Sequence, residues 1–206
     1  MKKLNRPILL AAVTLFTAAA FCSPASAAGG KRGASANPLS YTWLRIGGAS
    51  QESDYFDDRA QGYSLQGSWQ LDENVYLLGS AARLDFDQLP GREHIYGVGI
   101  GYQENPMGDI SAFLQAEVFR TRLDLPGGDR TDDWARFSWG FRALLGKDSP
   151  WELDGAVYYD AQDDFGDRDF GAWFGIGVVW DHVGLRLVGD HNGSQDTVRL
   201  GLSVYF

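Results

Sequence analysis

Cysteine and histidine are scarce in this sequence. The 206 residues include one cysteine, Cys22, and three scattered histidines. Cys22 lies in an N-terminal apolar region. If that region is removed, the remaining chain has no cysteine and no disulfide framework. Cysteine and histidine supply most ligands of transition-metal centres, so we expect neither such a centre nor a cofactor.

Long apolar runs are also missing. A helix that spans a bilayer needs roughly 20 apolar residues, and the longest apolar run, 8–21, is shorter. It follows a basic segment and precedes Ser23-Pro24, which is the pattern of a secretory signal. Ala25 and Ala27 are the small residues that a signal peptidase requires, so we expect cleavage after Ala27.

After the signal, the chain divides into a short polar segment and one domain. Residues 28–38 are small, polar and Gly-rich, and they read as a flexible tether that ends at Pro38. Residues 39–206 show no further boundary and no internal repeat. Their number suits a single domain.

Basic residues are outnumbered in the exported part. All 27 acidic residues of the chain follow Ala27, whereas three of the 18 basic residues precede it. An acidic surface repels the phosphate backbone, so we expect no nucleic-acid partner. The same surface suits divalent cations or cationic partners.

Alternation of apolar and polar residues dominates the domain. In 196–206, Val198 and Leu200 share one face with the other even-numbered apolar residues, while Thr197 and Arg199 share the opposite face. Ten such runs occur, at 40–49, 61–71, 74–86, 93–103, 110–122, 134–145, 151–161, 169–180, 183–190 and 196–206. They predict an all-β, antiparallel, up-and-down transmembrane barrel of ten strands. Eight strands are the alternative, because a weak run can be misread.

The connections between the runs form two sets. One set is short and carries turn residues, at 72–73, 104–109, 146–150 and 181–182. The other set is mostly longer and acidic, at 50–60, 87–92, 123–133, 162–168 and 191–195. Short turns at one end and long loops at the other are typical of outer-membrane barrels. We therefore expect both termini on the periplasmic side.

Aromatic residues near both ends of the runs favour a membrane barrel over a soluble one. A soluble barrel would bury most of them, and the polar atoms of buried tyrosine and tryptophan need partners. A membrane barrel places them in two girdles around an apolar band. The expected girdles are Trp69, Tyr76, Tyr102, Trp151, Trp180 and Phe206 near the short turns, and Phe86, Tyr96, Trp134, Phe137, Tyr159 and Phe170 near the long loops.

The polar faces of the runs carry charges that we expect to line the lumen. They are Arg45, Arg83, Asp85, Glu117, Arg136, Arg142, Glu152, Asp154, Asp160, Arg186 and Arg199. Side chains can fill a barrel of this size, and opposite charges in a poorly solvated interior should pair. The prediction is a largely occluded lumen and a non-enzymatic role in envelope structure or surface interaction. A narrow channel for small solutes is the alternative.

Two stretches of sequence resemble known exported barrels. The final residues 203–206, with Tyr205 and Phe206 at the end, resemble the signal by which Gram-negative barrels are handed to the outer-membrane insertion machinery. Residues 39–43, 62–68 and 72–76 resemble the opening hairpins of the Ax-twenty-one-like barrels in the porin-like superfamily. The resemblance implies location in the cell outer membrane and supplies no catalytic motif.

A hydrolase at the rim is a second alternative. The omptin proteases are also ten-stranded barrels, and they are implied to use an Asp-His pair with a pair of aspartates. Asp190-His191 matches the first pair, and Asp57-Asp58, Asp132-Asp133 and Asp163-Asp164 are candidates for the second. His191 and Ser194 are candidates for the base and the nucleophile of a lipid-modifying enzyme. Because 191–194 also reads as a plain Asn-Gly hairpin turn, we expect no enzymatic activity.

Acidic residues crowd the predicted outer loops. Carboxylates are suitable ligands for calcium or magnesium, which also cross-bridge lipopolysaccharide, so these loops could share such ions with outer-membrane lipid. No calcium-binding loop motif is present. A solvated surface that keeps neighbouring barrels apart is the simpler interpretation, and it predicts a monomer.

Overall fold

The computed structural model describes residues 41–53, 58–105, 109–146, 149–162, 168–193 and 195–206. The predicted export signal, the tether 28–38 and the boundary at Pro38 lie outside these residues. The strands are β1 (Trp43–Ser53), β2 (Asp58–Gln70), β3 (Val75–Phe86), β4 (Arg92–Glu104), β5 (Ile110–Leu125), β6 (Gly128–Leu144), β7 (Trp151–Gln162), β8 (Arg168–Trp180), β9 (Val183–Asn192) and β10 (Gln195–Tyr205). None of the described residues belongs to a helix long and apolar enough to cross a membrane.

The strands form a closed barrel in which each strand pairs antiparallel with its neighbours in sequence. β1 closes the barrel against β10, in a register that runs from Trp43 opposite Tyr205 to Ser53 opposite Gln195. Closure leaves no strand edge with unpaired backbone groups, which is the condition for crossing lipid with strands. The prediction of a ten-stranded up-and-down barrel is confirmed.

The outward face of the barrel is apolar. On β10, Leu200 and Leu202 are 52% and 54% exposed, whereas Ser203, the next residue, is fully buried inside. Large apolar side chains are exposed in this way on every strand except β3. A continuous apolar surface of this kind is unfavourable in water and suits the hydrocarbon core of a bilayer.

Most of the predicted aromatic girdle residues point outward, and three of them do not. Trp180 and Phe170 are among the exposed aromatic residues, at opposite ends of β8. Tyr76 is fully buried inside the barrel. Trp134 is also inside, where its ring stacks on Phe119 with the centroids 4.0 Å apart. Placing Tyr76 and Trp134 in the girdles was wrong, because the strand register turns both of them to the lumen. Phe86 lies on the inner face of β3, opposite the buried Ala60, so its placement in a girdle was wrong as well.

β3 has the opposite orientation to the predicted one. Leu78 and Leu84 are buried inside, next to Tyr76, whereas Arg83 and Asp85 lie on the outer surface. Both faces of β3 carry apolar residues, so alternation alone did not identify the lumen face. Pairing with β2 and β4 sets it. The assignment of Arg83 and Asp85 to the lumen is therefore wrong.

The predicted difference in connection length is not observed. We call the end where β1 begins and β10 finishes the terminal end, and the opposite end the hairpin end. β5 continues to Leu125 and β6 starts at Gly128, so most of the predicted loop 123–133 is strand. Gly128 takes a positive φ of 129° in this tight turn, which glycine tolerates. Strands thus extend at the hairpin end, and connection length does not distinguish the two ends.

Candidate functional site

The lumen has two chemically different walls. Inward side chains of β3 to β5 are mainly apolar, whereas β6, β7, β9, β10 and β1 contribute most of the charges. The apolar residues that line the cavity are Leu78, Leu84, Ile95, Phe113 and Phe119. The charged wall arises because alternating residues of β7, Glu152 and Asp154 among them, share the inward face with the arginines of the neighbouring strands.

A buried charged quartet lies toward the terminal end of the lumen. Arg142 Nη2 donates to Glu152 Oε2 at 2.7 Å, and Arg186 Nη1 donates to Glu152 Oε1 at 3.0 Å. Arg186 also forms an ion pair with Asp154. These side chains are 2–8% exposed. Glu152 thus bridges two arginines that come from different strands.

Polar aromatic side chains surround the quartet. Arg45 Nε donates to Ser203 Oγ at 2.7 Å, and its guanidinium lies 4.5 Å from the centroid of the Trp43 ring. The rings of Tyr41 and Tyr76 lie 4.5 Å apart and both are buried. Tyr41 also lies against the quartet, because the Arg142 guanidinium is 5.4 Å from the centroid of its ring.

A second charged cluster lies toward the hairpin end. Arg136 donates from Nε and Nη2 to both carboxylate oxygens of Asp160, each at 2.8 Å. Arg199 Nη2 donates to Asp190 Oδ2 at 2.9 Å, and the Tyr158 hydroxyl donates to Asp190 Oδ1 at 2.5 Å. Sequence reasoning did not place Asp190 in the lumen, although its alternation with Arg186 on β9 indicates this face.

A cavity of about 250 Å³ runs beside both clusters, with Arg142 and Gln195 among its lining residues. Glu117 faces this cavity and interacts electrostatically with Arg136 and Arg199. Of the predicted lumen charges, Arg83 and Asp85 are the two that the structure places elsewhere. Arg83 Nη2 lies 3.4 Å from Asp85 Oδ1 on the outer surface.

Glycines on the inner face make room for the large lumen side chains. A methyl group at Gly101 would clash with the Tyr76 ring, and one at Gly171 would clash with the Tyr158 ring. Gly189, on the outward face of β9 opposite Phe174, has open space around its Cα instead. The rings of Tyr76 and Tyr158 thus depend on the absence of a Cβ on β4 and β8.

We expect Gly101→Ala to lower the free energy of unfolding by about 1–3 kcal/mol, which is typical of overpacking. Gly189→Ala is the matched control and should change it far less, because nothing lies within 4 Å of the added methyl. Urea unfolding in detergent, followed by tryptophan fluorescence, measures both variants. Equal losses would show that Tyr76 does not need the space at Gly101.

Within the described part of the rim, the predicted hydrolase pairs are not assembled. Asp190 points into the lumen and pairs with Arg199, whereas the adjacent His191 points outward and is 2.6 Å from Asp196 Oδ1 through its Nδ1. Asp133 forms a bidentate pair with Arg120, at 2.7 and 2.6 Å. The other candidates, Asp57, Asp163, Asp164 and Ser194, lie outside the described residues.

Asp58 has a structural role at the rim. Its carboxylate accepts the backbone N–H groups of Arg59, Gln88 and Leu89 at 2.7–3.2 Å. Desolvation favours the protonated form, but these donors outweigh it and hold the pKa of Asp58 below its usual value. The carboxylate thus joins the β1–β2 and β3–β4 hairpins. The described part of the chain has no group of three or more acidic, histidine or cysteine residues arranged to hold a metal ion.

Comparison with known proteins identifies the fold. No protein-family model and no curated protein matches the sequence. Among solved structures, the NanC porin shares 11% identity and a TM-score of 0.52, over 79% of this chain and 100% of the porin. The chain has the fold of an outer-membrane β-barrel. Neisserial surface protein A matches with 14% identity and a TM-score of 0.44, over 81% of this barrel chain and 98% of that protein. Ail of Yersinia pestis matches with 16% identity and a TM-score of 0.40, over 80% of this chain and 97% of Ail.

Proposed function

We propose that this chain is a non-enzymatic outer-membrane barrel whose lumen is closed by ion pairs, with a role in envelope structure or surface interaction. The quartet of Arg142, Glu152, Asp154 and Arg186 carries this proposal. These charges pair with one another across the barrel interior, beside the 250 Å³ cavity. A general porin needs a wide, water-filled lumen, whereas side chains fill a barrel of this size.

The energetics of the quartet support closure. Separating a buried ion pair leaves a charge without compensation, which costs several kcal/mol. Opening a path through the quartet would separate Glu152 from both arginines unless water entered to replace them. Tyr41 and Tyr76 add bulk at the same end of the barrel. Passage of solutes is therefore unfavourable without rearrangement of this cluster.

The outward apolar surface supports location in the outer membrane, with the predicted export signal as the route. In the proposed orientation the termini face the periplasm and the hairpin end faces outward. Phe206 is 64% exposed and Tyr205 is 2% exposed, so the last residue is accessible to the insertion machinery after folding of its strand. Lipopolysaccharide and other outer-membrane lipid are the proposed surroundings of a monomer.

We expect the wild-type barrel to give no stable single-channel steps in planar lipid bilayers at neutral pH. A variant with alanine at all four quartet positions should give steps, because its lumen loses the ion pairs. Heat-dependent mobility on gels checks that both proteins are folded barrels. Stable steps from the folded wild-type protein would contradict the closed lumen.

A narrow channel is the second candidate function. The 250 Å³ cavity favours it, because this space runs along both charged clusters. The same recordings decide between the two functions: small, stable steps from the wild-type barrel would support the channel, and silence would support closure.

A further inference from the structure

Outward-facing basic residues concentrate at one place on the barrel, the hairpin end of β3, β4 and β5. We call this set the basic patch, and it consists of Arg83, Arg92, His94, Arg120 and Arg122. Among the described residues, the rest of the outward surface at this end carries Arg59 and His191. The basic patch is therefore confined to one side of the barrel.

The strand register aligns three of these residues in a row. Arg83 lies opposite His94, and His94 lies opposite Arg122 on the next strand. Neighbouring strands are about 4.8 Å apart, and basic groups directly opposite each other repel. Asp85 beside Arg83 and Asp124 beside His94 and Arg122 offset part of this repulsion. A bound anion would offset the remainder through the exposed part of the Arg83 side chain, which is 34% exposed.

Carboxylates hold the patch in place without covering it. Arg120 is fixed by its bidentate pair with Asp133, and Arg122 donates to Asp124 at 2.7 Å. The Arg122 side chain nevertheless remains 53% exposed. Arginine in such a position can donate further hydrogen bonds to a phosphate, whose geometry it matches well.

An apolar groove lies on the same side of the barrel, nearer the membrane centre. Its volume is about 580 Å³, and its lining includes Ile100, Ala116, Phe137, Trp139 and Tyr159. Ala116 is small and lies between Ile100 and Phe137 on the adjacent strands. The bulky neighbours form the walls of the groove, and Ala116 forms part of its floor.

Small side chains connect the groove to the basic patch. Val118, Ala135 and Ala161 lie side by side on β5, β6 and β7, one outward position above the groove. Ala116 and Arg120 are four residues apart on β5, which corresponds to about 14 Å along a strand. A lipid whose phosphate contacts the patch can therefore extend an acyl chain over the small residues into the groove.

We infer that the basic patch and the groove together bind a phosphorylated, acylated lipid of the outer leaflet, which is the chemistry of the lipid anchor of lipopolysaccharide. The phosphate contacts Arg83 and Arg122, and an acyl chain occupies the groove at Ala116. This inference rests on the proposed outer-membrane location and orientation. It replaces shared divalent cations with direct arginine contacts as the basis of lipid binding.

The test is native mass spectrometry of the folded full-length barrel in detergent, with purified bisphosphorylated lipid A as the probe. The double variant Arg83→Gln/Arg122→Gln should bind it about tenfold more weakly or worse, because both charge-assisted contacts to the phosphate are lost. Arg59→Gln is the matched control, since Arg59 is exposed and pairs with Glu52 outside the patch. It should bind as the wild type does.

Further binding measurements test the phosphate contact and the acyl-chain contact separately. Dephosphorylated lipid A should bind weakly, and inorganic phosphate should not displace the lipid, because it has no acyl chain. Ala116→Trp should weaken binding by filling the groove, whereas Leu185→Trp, on the lipid face of β9, should not. Equal binding by the patch variant and the Arg59 variant, or full displacement by phosphate, would overturn the inference. Bilayer conductance, measured on the same samples, tests the closed lumen separately.

Discussion

Replacing Glu152 by alanine will lower the free energy of unfolding by about 3–5 kcal/mol, which is the usual cost of breaking a buried ion pair from one side. Glu152 is 1% exposed and bridges Arg142 and Arg186 through its two carboxylate oxygens. In the variant, Arg142 loses its hydrogen bond to Glu152, whereas Arg186 loses its bond to Glu152 but keeps its ion pair with Asp154. Reversible urea unfolding in lipid vesicles, followed by tryptophan fluorescence, measures the difference.

Asp196→Ala is the matched control for that measurement. It removes one carboxylate from the pair with His191, in which both side chains are 68% exposed. Exposed pairs contribute about 0–1 kcal/mol, because water solvates both charges well. If Glu152→Ala costs no more than Asp196→Ala, the quartet is not a buried network and the case for a closed lumen is lost.

Placing an arginine at Leu200 will also strongly destabilise the membrane-inserted barrel. Leu200 is near the middle of β10 and 52% of it is exposed on the outward face. An arginine at the centre of the lipid face costs about 2–4 kcal/mol, because lipid cannot solvate its charge. The same urea titration in vesicles gives the change in the free energy of unfolding.

Thr197→Arg is the control on the opposite face of the same strand. Thr197 lines the lumen cavity and lies directly opposite Asp190 on β9. An arginine there has a carboxylate partner and some space, so we expect a smaller loss than at Leu200. A larger loss for Thr197→Arg would mean that the outward face of β10 does not contact lipid.

Strict alternation made some strands fully predictable. On β10, and on β6 from Arg136 onward, apolar residues occupy one face and polar residues the other, so the lipid faces of both segments followed from the sequence. On β3, Tyr76, Leu78 and Leu84 share a face and the charges of Arg83 and Asp85 occupy the other. Charges there meet the polar end of the membrane, whereas the lumen at β3 is apolar, so the rule that charges face inward failed.

Strand extension at the hairpin end was not predictable from composition. Residues 123–133 are acidic and contain Pro126 and two glycines, which read as a loop. In the structure, cross-strand contacts such as Arg120 with Asp133 and Arg122 with Asp129 accompany pairing as far as Leu125. Those contacts join residues of two strands, and the local sequence does not specify which residues will lie opposite each other.

The charged clusters show the same division. The sequence indicated which charges share a face on β6, β7, β9 and β10, because alternation is a local property. It did not indicate that Glu152 bridges Arg142 and Arg186, or that Tyr158 donates to Asp190, since these partners are 10–34 residues apart. The sequence also suggested Asp190 and His191 as a catalytic pair, although adjacent residues of a strand point to opposite faces.

The sequence by itself determined that the chain forms antiparallel strands around an enclosed interior, because a repeated period of two gives each strand one apolar and one polar face. The tertiary structure alone decided which charges pair, how the lumen divides into an apolar and a charged wall, and where basic residues meet an apolar groove outside. The physical reason is that these features depend on strand register and on contacts around the barrel circumference. A single strand does not specify either of them.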